Sequence, residues 1–88
     1  MKVAFDKQNN DGITTLFTKD FPSAEAAVGF FHTFCVEHAT AHKAVYEELL
    51  GNDEAKARSL YWFERNGVIT ETFLPPNEPH EIKMRLVA

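Results

Sequence analysis

The chain has 88 residues, 44% of them hydrophobic and 25% charged, with a formal net charge of −4 and a single cysteine. That length holds one domain, and the balance of residues is that of a globular chain and not of a disordered one. One cysteine excludes an intramolecular disulfide, and with it the stapled scaffold of small secreted domains.

No stretch approaches the roughly 20 apolar residues of a membrane span, and the first residues carry no signal-peptide core, so a reducing, cytoplasmic setting is expected. The nine basic residues are scattered and form no block, which disfavours tracking of a nucleic-acid backbone. A domain this short buries only about 60 to 65% of its unfolded surface, so self-association would add useful stability.

In chain order, residues 3–5 and 13–21 are β-rich runs separated by Gln8-Asn9-Asn10-Asp11-Gly12, whose Asn, Asp and Gly tolerate left-handed angles; a hairpin is expected. Phe21-Pro22-Ser23 then supplies a turn and a helix-capping serine, with acidic Glu25 in the first turn and Phe21 placed to staple onto Ala27 or a near neighbour. No proline occurs from residue 24 to 50, and Gly51-Asn52 gives the stop. Steps of about 100° put Ala27, Val28, Phe31, Phe34, Cys35, His38, His42, Val45, Tyr46 and Leu49 on one side, which predicts one amphipathic helix of about seven turns. Ala39-Thr40-Ala41 is the one place bland enough to kink or split it.

Residues 53–58 read as a charged connector with at most a single helical turn, and residues 59–65 as a strand. Asn66-Gly67 suits a two-residue type I′ turn into a strand over residues 68–74, pairing Arg65 with Val68, Phe63 with Thr70, Trp62 with Glu71 and Leu60 with Phe73. Pro75-Pro76-Asn77-Glu78-Pro79 lacks the donors of a central strand and reads as an exposed connection. Residues 80–87 alternate Ile82, Met84 and Leu86 against Lys83 and Arg85, a half-buried strand with a basic face. The expected architecture is one α+β domain over residues 1–88 in two layers, a long amphipathic helix packed on an antiparallel sheet of about five strands in the order ββαβββ.

Residues 32–42 hold three of the four histidines and the cysteine. His38 and His42 stand one helical turn apart, the spacing at which two imidazoles share a zinc ion, with Cys35 near the same face. Cys35 and His42 lie about 10.5 Å apart along a helix axis, so a third ligand would have to come from His80, Glu81 or a second subunit. The plainer reading, in which Cys35, His38 and His42 fill the apolar face as core, ranks first. A small-ligand pocket walled by Tyr46, Tyr61 and Trp62 is a further option. A Cys35–His38 nucleophile pair is disfavoured because no helix N-terminus lowers the thiol's pKa. The four glycines are isolated, so no phosphate-binding loop exists.

The hairpin expected over residues 59–74 is apolar on both faces, and one helix covers only one face of a sheet. Surplus aromatic surface points to a contact seam. The expected function is therefore a small non-enzymatic protein-interaction domain that needs no cofactor, a regulator or inhibitor of a larger protein. It would act through an aromatic hairpin face or a sheet edge, with Tyr61, Trp62, Phe63 and Phe73 meeting a partner protein or a second copy in a homodimer. The alternatives are a zinc or small-ligand site at His38, His42 and Cys35, and weak nucleic-acid contact through Lys83 and Arg85.

Overall fold

The computed structural model describes residues 1–73 and 78–87. Strands β1 (Lys2–Asn9) and β2 (Gly12–Asp20) form the first hairpin, as the sequence implies. Asn9 Oδ1 accepts from the Asp11 N–H at 2.9 Å and Gly12 takes a positive φ of 128°, the two uses for which turn regions select these residue types. Register shifts once: Phe5 pairs with Phe17 but Asp6 with Thr15, so Leu16 is the extra residue of a β-bulge.

Helix α1 (Ala24–His38) starts where expected, with Ser23 Oγ accepting from the Ala26 N–H at 3.1 Å. Phe21 packs on Phe30, with ring centroids 5.3 Å apart. The single long helix divides at the bland segment. Thr40 has φ 50°, a left-handed conformation that strains a β-branched residue, and a 3-10 turn (Thr40–His42) leads into α2 (Lys43–Leu50). Lys43 pairs with Glu37 while Leu50 lies against His32, so α2 doubles back along α1. Val45 and Leu49, expected on the core side of one straight helix, are left exposed by that reversal.

The largest correction concerns residues 53–67. They form a helix, α3 (Asp53–Asn66), and not a connector followed by a strand. Asn52 Oδ1 caps it by accepting from the Ala55 N–H at 2.8 Å, Asp53 and Glu54 occupy the first turn, and Ala55 and Phe63 are buried eight residues apart on one face. Gly67 is the left-handed C-cap, with φ 71° and its N–H bonded to the Phe63 carbonyl at 2.8 Å. The expected pairing of residues 60–65 with residues 68–73 is therefore absent. Strand β3 (Val68–Phe73) pairs instead with β4 (His80–Val87), Val68 opposite Arg85 and Phe73 opposite His80. Residues 74–77, which include most of the proline-rich connection and the expected end of the strand at Leu74, lie outside the described residues.

The fold is thus α+β with one four-stranded antiparallel sheet, ordered β2-β1-β4-β3, and three α-helices on one of its faces; about five strands and one long helix were expected. Val3 and Phe5 from β1 and Ile82 and Met84 from β4 meet Ala27, Val28, Phe31 and Cys35 from α1, all fully or nearly fully buried. Phe5 is the hub: its ring lies 4.6 Å from Phe17, 5.5 Å from Phe30 and 5.6 Å from Phe34. The opposite sheet face carries Thr15, Thr18, Thr70, Thr72, Lys83 and Arg85. There Asp6, with only 4% of its surface exposed, accepts from Thr15 Oγ1 and from Arg85 Nε, each at 2.7 Å. Burial pushes the Asp6 pKa up, but these bonds and the charges of Arg85 and Lys83 outweigh it and hold the carboxyl below its ordinary value.

Candidate functional site

Helical geometry separates the four aromatic residues expected at a partner surface. Phe63, at 3% exposure, faces the sheet with Ala55, whereas Tyr61 and Trp62 stay 49% and 52% exposed on the outer side of α3. Tyr61 and Trp62 meet edge to face at 5.0 Å, and the Arg65 guanidinium, one turn on, lies 4.3 Å from the centre of the Tyr61 ring. Phe73 is in the core at 4% exposure. Tyr61 and Trp62 are therefore brought together at the surface, and Phe63 and Phe73 are not part of that patch.

The surroundings extend the patch. Arg58, one turn before Trp62, lines a groove of about 310 Å³ with Ser59, Trp62, Val68, Ile69 and Thr70, between α3 and β3. It also lines a second groove, with Val45, Leu49 and Glu54, toward α2. Val45, Leu49, Trp62 and Val68 are all exposed large apolar side chains.

The residues weighed as zinc ligands separate as well. Cys35 is fully buried in the core, and burial, with the Glu71 charge added, pushes its thiol pKa far above the ordinary range, so it stays a neutral, unreactive thiol. His42 is exposed on the 3-10 turn, away from the regular turn that would stack it on His38. His38 meets His80 instead, their Nε2 atoms 2.7 Å apart. Among the described residues no three His, Cys, Asp or Glu side chains gather as a metal-binding group. His38 stacks on Phe34 and His80 on Phe73, while Tyr46 covers the far side of Phe73 at 4.8 Å and gives its hydroxyl to the Thr72 carbonyl at 2.8 Å.

Two polar residues that sequence reasoning did not single out are structurally prominent. His32 is 2% exposed and spans three helices, with Nδ1 2.8 Å from the Leu50 carbonyl and Nε2 2.7 Å from Ser59 Oγ. A carbonyl only accepts, so Nδ1 carries the proton and Nε2 accepts from the serine. Burial, chiefly, and then the Lys56 and Arg58 charges hold its pKa below the ordinary value, the Leu50 bond opposing them. Glu71 lies on the helix side of β3 between Ile69 and Phe73, and burial raises its pKa. A lone His in an amphipathic run and a Glu in an alternating strand carry no signal that would have marked either.

The chain matches no protein-family model, no curated protein and no solved structure. No helix among the described residues is long and apolar enough to cross a membrane.

Proposed function

We propose that the chain is a small non-enzymatic protein-interaction domain, a regulator or inhibitor of a larger protein, whose contact surface is the outer face of α3. The observation that carries this reading is the Tyr61–Trp62 pair, about half exposed and braced by Arg65, with the exposed Val68 lining the same groove as Trp62. Trp, Tyr and Arg dominate binding energy at protein interfaces, Trp and Tyr because they cover a large area with few rotors and Arg because its planar guanidinium both stacks and donates hydrogen bonds. Phe63, on the inner side of α3, and Phe73, packed among His38, Tyr46 and His80, are buried and lie outside this contact surface.

The test compares wild type with the Tyr61→Ala/Trp62→Ala variant in association assays and by circular dichroism. Loss of association with an unchanged spectrum supports the reading. Association retained at wild-type strength contradicts it.

A further inference from the structure

Two hydrogen bonds establish which way the backbone of β3 points. The Leu86 N–H donates to the Gly67 carbonyl at 2.7 Å, and the Tyr46 hydroxyl donates to the Thr72 carbonyl at 2.8 Å. In an antiparallel ladder the N–H and C=O of one residue point to the same side, and the side alternates along the strand. Gly67, Ile69, Glu71 and Phe73 therefore face β4, and Val68, Thr70 and Thr72 face outward. All three outward residues are exposed. Tyr46 engages the Thr72 carbonyl, while the N–H and C=O of Val68 and Thr70 have no bond from the described residues.

The sheet's other edge is blunted. Strand β2 carries the bulge at Leu16 and ends in Lys19 and Asp20, the devices that keep a foreign strand from docking. Strand β3 reads Val-Ile-Thr-Glu-Thr-Phe, with no bulge, lysine or proline, and the side chain of Glu71 is on the helix side. Its free donors and acceptors call for another strand.

We infer that this strand is β3 of a second copy, paired antiparallel about Thr70; the inference goes beyond the contact reading above and stands on the geometry of the edge. Pairing about Thr70 sets Thr70 opposite itself, Val68 opposite Thr72 and Ile69 opposite Glu71, so no like charges face each other, and the Thr72 carbonyl takes the Val68 N–H on the lone pair that Tyr46 leaves free. The neighbouring register, centred on Glu71, opposes two carboxylates. A two-fold axis perpendicular to the sheet keeps both helix layers on the same side, so α3 comes alongside its copy and the groove lined by Arg58, Trp62 and Val68 enters the seam. Two four-stranded sheets then become one continuous sheet, and the exposed Trp62 becomes interface core.

The test is solution mass by size-exclusion chromatography with light scattering over a concentration series, on wild type, Thr70→Pro and Thr70→Glu. Proline removes an outward N–H that β4 does not use. Glutamate faces Lys83 within its own subunit but a second glutamate across the axis. Wild type is expected at twice the 10.0 kDa chain mass, and both variants at the single-chain mass with wild-type circular dichroism. A wild type that stays monomeric at every concentration overturns the inference, as does a dimer that survives both substitutions. A monomeric wild type whose association with another protein is lost on Tyr61→Ala/Trp62→Ala overturns the second copy alone and spares the contact reading. A dimer broken by Thr70→Glu but not by Tyr61→Ala/Trp62→Ala supports the edge pairing and contradicts the aromatic reading.

Discussion

His38 on α1 and His80 on β4 face each other through Nε2 atoms 2.7 Å apart, and a third group decides which of them donates. His80 Nδ1 lies 2.6 Å from the Glu78 carbonyl, so that nitrogen carries the proton of the neutral ring and leaves Nε2 as the acceptor of the His38 N–H. Doubly protonated, the pair would oppose two N–H groups across the same gap. Burial, then the His80 and Lys7 charges, hold the His38 pKa below the ordinary 6.5.

The two histidines make stability fall on acidification, and Glu71, whose pKa burial raises, acts in the opposite sense. His38 and His32 both have folded pKa values below 6.5, so on acidification below that point the unfolded chain binds more protons than the folded one. The stabilising contribution is complete above 6.5 and is lost as pH falls through the folded-state values. In a Glu71→Gln background, which removes the opposing carboxyl, melting temperature across pH 8 to 5 should show a plateau and then a decline that begins near 6.5; a flat or rising profile between pH 7 and 5 contradicts this.

His32 ties the end of α2 and the middle of α3 to α1. His32→Ala removes both bonds and strands the Leu50 carbonyl, for an expected loss of about 2 to 4 kcal/mol, and Ser59→Ala leaves only one ring nitrogen unpaired, at about 1 to 2 kcal/mol. Urea unfolding should rank the two in that order. Equal midpoints for wild type and His32→Ala would show the clip to be idle.

Asn66 and Gly67 offer a test of α3 itself. Asn66 is the last helical residue, so Asn66→Ala, with its better helix propensity, should be neutral or stabilising by a few tenths of a kcal/mol. In a type I′ turn the same change would force alanine into a left-handed conformation at about 1 to 2 kcal/mol. Gly67→Ala should be destabilising by that amount through its φ of 71° alone, since an added Cβ would lie 3.7 Å from Leu86 Cβ, an ordinary contact. Thermal unfolding of the two single variants decides the matter.

The contrast at Asn66-Gly67 also shows how far the sequence could be read. Glycine at a positive φ serves a hairpin turn and a helix C-cap equally well, and what distinguishes them is the conformation of the residues before it. Tyr61-Trp62-Phe63 carries strong strand propensity, while the signals for a helix are spread over Asn52, Asp53, Glu54, Ala55 and Ala57, several residues upstream. Tertiary packing of Ala55 and Phe63 settled the competition. Signals that stood alone were sound at the Ser23 cap and the Gly51-Asn52 stop, while the alternation read over Ile82, Met84 and Leu86 holds for the first two and fails at Leu86, which is exposed. The exposure of Tyr61 and Trp62 has a different cause from the one the sequence suggests: the two-faced hairpin that would leave rings uncovered is absent, and both rings stand on the outer side of a helix. The His38–His80 pair was not legible, since it joins residues 42 apart in the chain, and only the strand order brings them together.

Trp62 is the only tryptophan in the chain, so its fluorescence reports directly on the contact surface. The dissociated protein should show red-shifted emission open to acrylamide quenching, and association should bring a blue shift with quenching suppressed. Association that leaves both emission and quenching unchanged would contradict the assignment of the α3 outer face as the contact surface.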